Sequence, residues 1–219
     1  IDNQSILIVF KKPTQPIIKP QCKVDKLKID SLLQFSNTQF LLKISNFNKI
    51  IRDSITIELS NIQDLFSNNT EQFKIKLDYI YLDTPIFGDL ILSEIMSNPS
   101  PTKGILPEKK YIEIYNRSSK YIAANTLYIS DSKSTAKLPV NTIEPFQYYL
   151  CINEIDSNFF SKINTINIKS LPSFNIESDF ISLKNTKNEY LFQFEYIQDM
   201  HQPDKIDGGY SLEKSNITV

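Results

Sequence analysis

Two glutamates stand out for chemistry they could share. Glu94 lies in DLILSEIMSNPSP (89–101), where a strand-like apolar run carries one acid and then meets Pro99 and Pro101. Glu113 lies in KYIEIYNRSSKYI (110–122). Period-two alternation puts Glu94 on one face with Leu90, Leu92 and Met96, opposite Ile91, Ser93 and Ile95. It puts Glu113 with Tyr111 and Tyr115 and leaves Ile112 and Ile114 for the core. If these strands pair, the carboxylates are neighbours, and paired carboxylates suit a hard cation such as Ca²⁺ or acid–base work. The plainer use is structural: a carboxylate accepts strong hydrogen bonds from the N–H groups of a proline loop or from a base such as Arg117. The sequence favours that role for Glu94. A second acidic group, Asp199, Asp204 and Asp207 in DMHQPDKIDGG (199–209), offers oxygen ligands for a cation. Such density more often marks a solvated loop.

Other chemistries are poorly supplied. His201 is the only histidine, so a zinc site or a Ser-His-Asp triad would rest on it alone. There is no G-x-S-x-G elbow, H-E-x-x-H pair or Walker loop. No enzymatic activity and no cofactor are expected. The chain carries 24 basic and 25 acidic residues in 219. That balance argues against a nucleic-acid footprint, which needs a basic face. The basic and aromatic residues of EKKY (108–111) and NRSSKY (116–121) are too few for strong phosphate-driven affinity. The two cysteines, Cys22 and Cys151, are no disulfide framework. A bridge between them is disfavoured by strict geometry, and Cys151 in YYLCIN reads as a small hydrophobe. No apolar run has the length of a membrane helix. Membrane association is therefore expected only through an anchor or partner outside this chain. Because the sequence begins at Ile1 rather than Met, a signal peptide or lipid anchor would lie upstream.

The elements that must position these residues are strands. Short apolar runs alternate with polar residues: Ser5–Phe10, Cys22–Ile29, Phe40–Ile44, Ser54–Leu59 and Phe73–Leu82, then Leu90–Met96, Lys110–Tyr115, Thr126–Ser130, Tyr148–Ile152, Asp179–Leu183, Leu191–Tyr196 and Gly209–Lys214. Residues 60–69 suggest one helical turn. Residues 1–87 hold no glycine, and Gly88 is the first. That step, with LDTPIFGD (82–89) as a short linker, divides the chain at 86/87. The expected fold is all-β: two Ig-like β-sandwiches in tandem, 1–86 and 87–219.

The second half resembles the bacterial form of the lamin tail domain family. The resemblance rests on DLILSEIMSNPSP, KYIEIYNRSSKYI, LYISD (127–131), IEPFQYYLCI (143–152), SDFISLKN (178–185) and GGYSLEK (208–214), taken in that order. It implies an immunoglobulin-like sandwich with no catalytic centre, and structural roles for Glu94, Pro99, Glu113, Asn116, Asp131, Gly208 and Gly209. The sequence departs from the family pattern at two places. Thr126 and Leu127 stand where the family has Gly-Trp, and Phe146 and Gln147 replace its glycines after Pro145. In the first half, DSITIELSNIQDLFSNNTEQF (53–73) resembles the closing strand and I-x-D-x-x-x-N turn of bacterial S-layer-type Ig-like domains.

These resemblances imply an exported, non-catalytic module of a bacterial cell envelope or surface, in the setting of a lipoprotein-like subunit of an outer-membrane assembly. Protein partners in the envelope are expected, and no nucleic acid. One alternative is an accessory domain of a secreted hydrolase or nuclease. Another is an adhesin module binding Ca²⁺ or carbohydrate through exposed tyrosines. DSL (30–32) and DSI (53–55) resemble the Asp-Ser/Thr-apolar O-glycosylation signature of the Bacteroidota, which makes Ser31 and Ser54 candidate modification sites. The sequons NNT (68–70) and NRS (116–118) matter only in a eukaryotic secretory route.

Overall fold

Alternation of apolar and polar residues builds strands throughout, and two separate cores collect their inward faces. The computed structural model describes residues 5–25, 27–45, 52–69, 72–101 and 107–215. The chain divides into two compact units, Ile1–Tyr81 and Leu82–Val219. The fold is all-β, and no helix among the described residues is long and apolar enough to cross a membrane.

In the first unit the strands are β1 (Ser5–Val9), β2 (Cys22–Val24), β3 (Lys28–Ser36), β4 (Gln39–Ser45), β5 (Arg52–Leu59) and β6 (Phe73–Ile80). They form two three-stranded antiparallel sheets, ordered β1-β4-β3 and β2-β5-β6. β4 turns Phe40, Leu42 and Ile44 inward, and β5 turns Ile55, Ile57 and Leu59 inward, so a single core lies between the sheets. The expected strand Cys22–Ile29 is broken. The Asp25 carboxylate accepts the Thr56 N–H at 2.5 Å and Leu27 N–H bonds the Asp25 carbonyl, which turns the chain between β2 and β3. Residues 60–69 form no helical turn. Asp64 holds a loop there, its carboxylate accepting the N–H of Phe66 at 2.8 Å and of Asn68 at 3.0 Å, over a buried Ile62. The Asn68 side chain and backbone bonds hold the Asp64 carboxyl below its usual range.

The sheet edges of this unit differ. β3 carries register shifts at Ile29/Ser31 and Gln34/Ser36, which kink an edge and spoil it as a template. β6 pairs with β5 in unbroken register over all eight of its residues. Its far side is the sheet edge, and Phe73 and Ile75, on the core-facing side, remain 44% and 38% exposed.

The second unit carries β7 (Leu82–Asp83), β8 (Leu90–Met96), β9 (Tyr111–Asn116), β10 (Tyr121–Ala123), β11 (Leu127–Ser130), β12 (Thr135–Lys137), β13 (Thr142–Ile143), β14 (Tyr148–Asn153), β15 (Thr165–Ile168), β16 (Ser178–Asn185), β17 (Tyr190–Ile197) and β18 (Leu212–Glu213). A five-stranded sheet, β15-β14-β9-β8-β18, and a four-stranded sheet, β12-β11-β16-β17, enclose the core; a small sheet, β13-β10-β7, adds to it. Ile112 and Ile114, Ile181 and Leu183, and Phe174 are fully buried there. Residues 82–89, expected as a linker, belong to this unit. β7 pairs in parallel with β10, and Gly88 N–H bonds the Leu191 carbonyl at 2.9 Å. Lys120 bridges the Asp89 carboxylate at 2.6 Å, and Arg117 Nε donates to the Gly88 carbonyl at 2.5 Å. The backbone at Gly88 has φ +84°, and a Cβ there would stand 2.7 Å from the Arg117 guanidinium, so this turn requires glycine.

Candidate functional site

β8 and β9 pair antiparallel, and the register sets Glu94 opposite Glu113 and Ile95 opposite Ile112. The expected alternation along β8 fails at Ser93, where the register shifts between Leu92 and Glu94. One inserted residue moves everything beyond it to the other face. Leu90 and Leu92 therefore pack with the core, while Glu94 and Met96 lie on the outer face beside Tyr111. β18 adds Glu213 opposite Glu94. A row of glutamates, 213–94–113, thus crosses neighbouring strands.

Each inner member of that row has a local partner. The Tyr111 hydroxyl donates to Glu94 Oε1. The Ser93 hydroxyl donates to Glu113 Oε1 at 2.8 Å. Among the described residues, Glu94 binds this tyrosine rather than an N–H of the proline loop. Burial raises the Glu113 carboxyl above the usual glutamate range; the Ser93 bond opposes that rise, and Glu94 and Glu213 add to it. Burial, then Glu94, pushes the Tyr111 phenol far up. No three His, Cys, Asp or Glu side chains among the described residues come close enough to hold a metal together. The glutamate row lies on the sheet's outer face, where Met96, Tyr111, Leu150, Ile152 and Phe160 cluster.

The remaining signature residues hold loops. Asn116 is fully buried at the end of β9. Its Nδ2 donates to the carbonyls of Lys120 at 2.8 Å and Glu144 at 3.0 Å, and its Oδ1 accepts the Ser118 N–H and hydroxyl at 3.1 and 2.7 Å. One side chain thereby ties the β9–β10 turn to the β13–β14 turn. Asp131 closes the β11–β12 hairpin, accepting the N–H groups of Lys133 and Ser134 at 2.8 and 2.5 Å. Gly208 and Gly209 have φ +102° and +78°. Gly209 N–H bonds the Asn98 carbonyl at 2.8 Å, and a Cβ on Gly208 would sit 2.3 Å from the Ser100 carbonyl oxygen. The proline loop holding Pro99 is therefore secured by this glycine pair.

Two further anchors, Asp179 and Lys110, carry no local sequence signal of their roles. Asp179 accepts the N–H groups of Ser132 at 3.0 Å, Phe180 at 2.8 Å and Asn175 at 2.8 Å. Burial would raise its carboxyl, yet these bonds outweigh burial and hold it below the usual aspartate range. Lys110 donates to the carbonyls of Ser173 and Phe174 at 3.1 and 2.8 Å; burial lowers its ammonium, opposed by Asp179. Ser132 lies 47 residues from Asp179, and Ser173 lies 63 residues from Lys110, so no local pattern in the sequence marks these contacts.

The other candidates are dispersed. Asp199, Asp204 and Asp207 are exposed around two short 3-10 turns, Gln198–Met200 and Pro203–Lys205. Burial, with Lys205, lowers the His201 imidazolium below its ordinary range. Cys22 and Cys151 are free and buried in different units, their thiols pushed up by burial to about 11 and about 12. Ser31 lies half-buried on β3 at its bulge, and Ser54 half-buried on β5 opposite Asp78. Of the sequon NNT, Thr70 lies outside the described residues. In NRS, the Asn116 side chain is buried.

What the second unit exposes is edge and groove. β17 is the outer strand of its sheet, and β18 covers β8 only at Glu94 and Ile95, with a further bond from Lys214 N–H to the Ser93 carbonyl. A groove of about 530 Å³ runs along these open edges, lined by Ile91 and Leu92 of β8 and by Phe192 and Phe194 of β17. Arg117 and Glu213 also contribute to its wall. On the outer face of the five-stranded sheet, Tyr115 and Tyr148 stack with centroids 4.4 Å apart. Tyr111, at 2% exposed, has no face open to a sugar ring.

No family model matches the chain, and no curated protein matches it. Among solved structures, the N-terminal part of the bacterial S-layer protein SbsC is similar, with 12% sequence identity and a TM-score of 0.37. The match covers 90% of this chain and 42% of that one, so the chain spans less than half of that structure.

Proposed function

We propose that this chain is a non-catalytic structural and binding module of an exported bacterial cell-envelope or surface protein, its second unit resembling a lamin tail domain. The supporting observation is the use of the polar signature residues. Asn116 and Asp131 hold the unit's own loops, Glu94 is bonded by the Tyr111 hydroxyl, and Glu113 by Ser93. Each of these bonds lies within the second unit's own framework. Function then belongs to what is left open: sheet edges with unpaired backbone groups, and the apolar groove between them. Such edges bind extended segments by strand addition, with side-chain pockets giving selectivity. A protein partner in the envelope, reached by a segment of this kind, fits the reading, and the outer membrane is the proposed setting.

The test is purification of the full-length tagged protein from its own membranes. A stoichiometric envelope partner, released when Phe194→Asp charges the groove, is the expected result. A solitary protein, or a partner indifferent to that substitution, sinks the groove as the binding surface. The stacked Tyr115–Tyr148 pair favours a second reading, a carbohydrate-binding face, since aromatic faces take sugar rings. A glycan screen in which Tyr148→Ala abolishes a signal would decide for it.

A further inference from the structure

The first unit carries an edge strand that is long, straight and matched to itself. β6 keeps register with β5 over all eight residues, whereas β3, the longest strand, is kinked by two bulges. Lys74 and Lys76 would ordinarily guard such an edge. Lys74, however, is occupied within the chain, bonding Glu58 at 2.7 Å. Lys76 and Asp78 follow on the same face and make no ion pair among the described residues. On the other face, Phe73 and Ile75 leave the core open at its rim.

We propose that β6 is a self-association edge that pairs antiparallel with β6 of a second copy of this chain, about a two-fold axis at Leu77. The charges select this register. Centred on Leu77, Lys76 of each copy falls opposite Asp78 of the other, so two attractive pairs form. Centred on Lys76, that lysine opposes itself and Asp78 meets Lys74, which Glu58 already holds; centred on Ile75, Lys74 opposes Lys76. A shift by half a step would turn apolar faces against polar ones. The pairing also continues the β2-β5-β6 sheet across the axis and covers the exposed rim at Ile75. A single-strand contact is small, so the dimer belongs to the weak class. This inference rests on the first unit alone and is independent of the groove in the second.

The test is sedimentation of the full chain up to about 0.5 mM, the range in which a weak contact registers. A monomer–dimer equilibrium is expected. Asp78→Lys and Lys76→Asp each set like charges opposite one another twice and weaken association about tenfold. The double swap, Lys76→Asp with Asp78→Lys, restores it. Both positions are exposed, so folding, checked by circular dichroism, is expected to be intact. Cross-linking reads the register separately: Leu77→Cys oxidises to a covalent dimer, while Phe73→Cys, far from its own copy, does not. A monomer at every concentration overturns the proposal. So does a dimer unmoved by the single reversals, or one that cross-links through Phe73→Cys as readily as through Leu77→Cys.

Discussion

Individual side chains in the second unit bond backbone both close by and far along the chain. Asn116 is the clearest case, because one buried amide serves two turns at once. Asn116→Ala would strip donors from the Lys120 and Glu144 carbonyls and acceptors from Ser118. Each buried group left unpaired costs about 1–3 kcal/mol. Urea denaturation is expected to show a loss of about 3 kcal/mol, and a loss below about 1 kcal/mol would deny Asn116 this role. Phe146 is a residue under strain. It has φ +56° in the turn after Pro145, and its side chain is exposed. Left-handed backbone costs a non-glycine residue about 1–2 kcal/mol. Phe146→Gly should therefore stabilise the unit by about 1 kcal/mol after glycine's extra chain entropy, visible as a higher Tm. Glu113 gives a pH signature. Its folded carboxyl is raised, chiefly by burial, so the folded state holds its proton where the unfolded chain has lost it. Stability is greatest below the unfolded pKa and declines as pH rises from the ordinary glutamate range through the raised value. Glu113→Gln should flatten that decline in a Tm-against-pH series.

At the scale of the element, alternation carries the legible part of the fold. FLLKI, SITIEL and YIEIYN become β4, β5 and β9, with the alternate residues Phe40, Leu42, Ile44, Ile55, Ile57, Leu59, Ile112 and Ile114 inward. The bulge at Ser93 was not legible. No glycine or proline marks it, and it exists only because β8 and β9 pair on both sides of it. The break between β2 and β3 was hidden for the opposite reason, since the alternation of KVDKLKI runs straight through a turn made by the Asp25 carboxylate. Strands of two or three residues, such as β7, β10 and β13, are too short to show any period. β7 has a testable consequence. It pairs with β10 inside the second unit, and the Thr84 carbonyl and Asp89 carboxylate both meet Lys120. A chain starting at Leu82 should melt higher than one starting at Phe87, by several degrees for about 1–2 kcal/mol of lost pairing. Equal melting would return the boundary to 86/87.

Across the whole molecule, the candidate site was only half readable. The sequence located the carboxylates and the turns but not their partners, because Asp179 meets Ser132 at a distance of 47 residues along the chain. It could not foresee that β8 changes face between Leu92 and Glu94, which places Glu94 beside Tyr111 on the outer face. The all-β architecture followed from many short runs agreeing with one another, which is a stronger signal than any single motif.

The two buried cysteines put a separate clock in each unit. Cys22 and Cys151 belong to different cores, and neither thiol ionises near neutral pH, with values of about 11 and about 12. A thiol reagent must therefore wait for its unit to open, and the rate of modification reports the free energy of that opening. Timed alkylation followed by peptide mass analysis would thus record, in one untouched molecule and without any engineered probe, how often each half breathes.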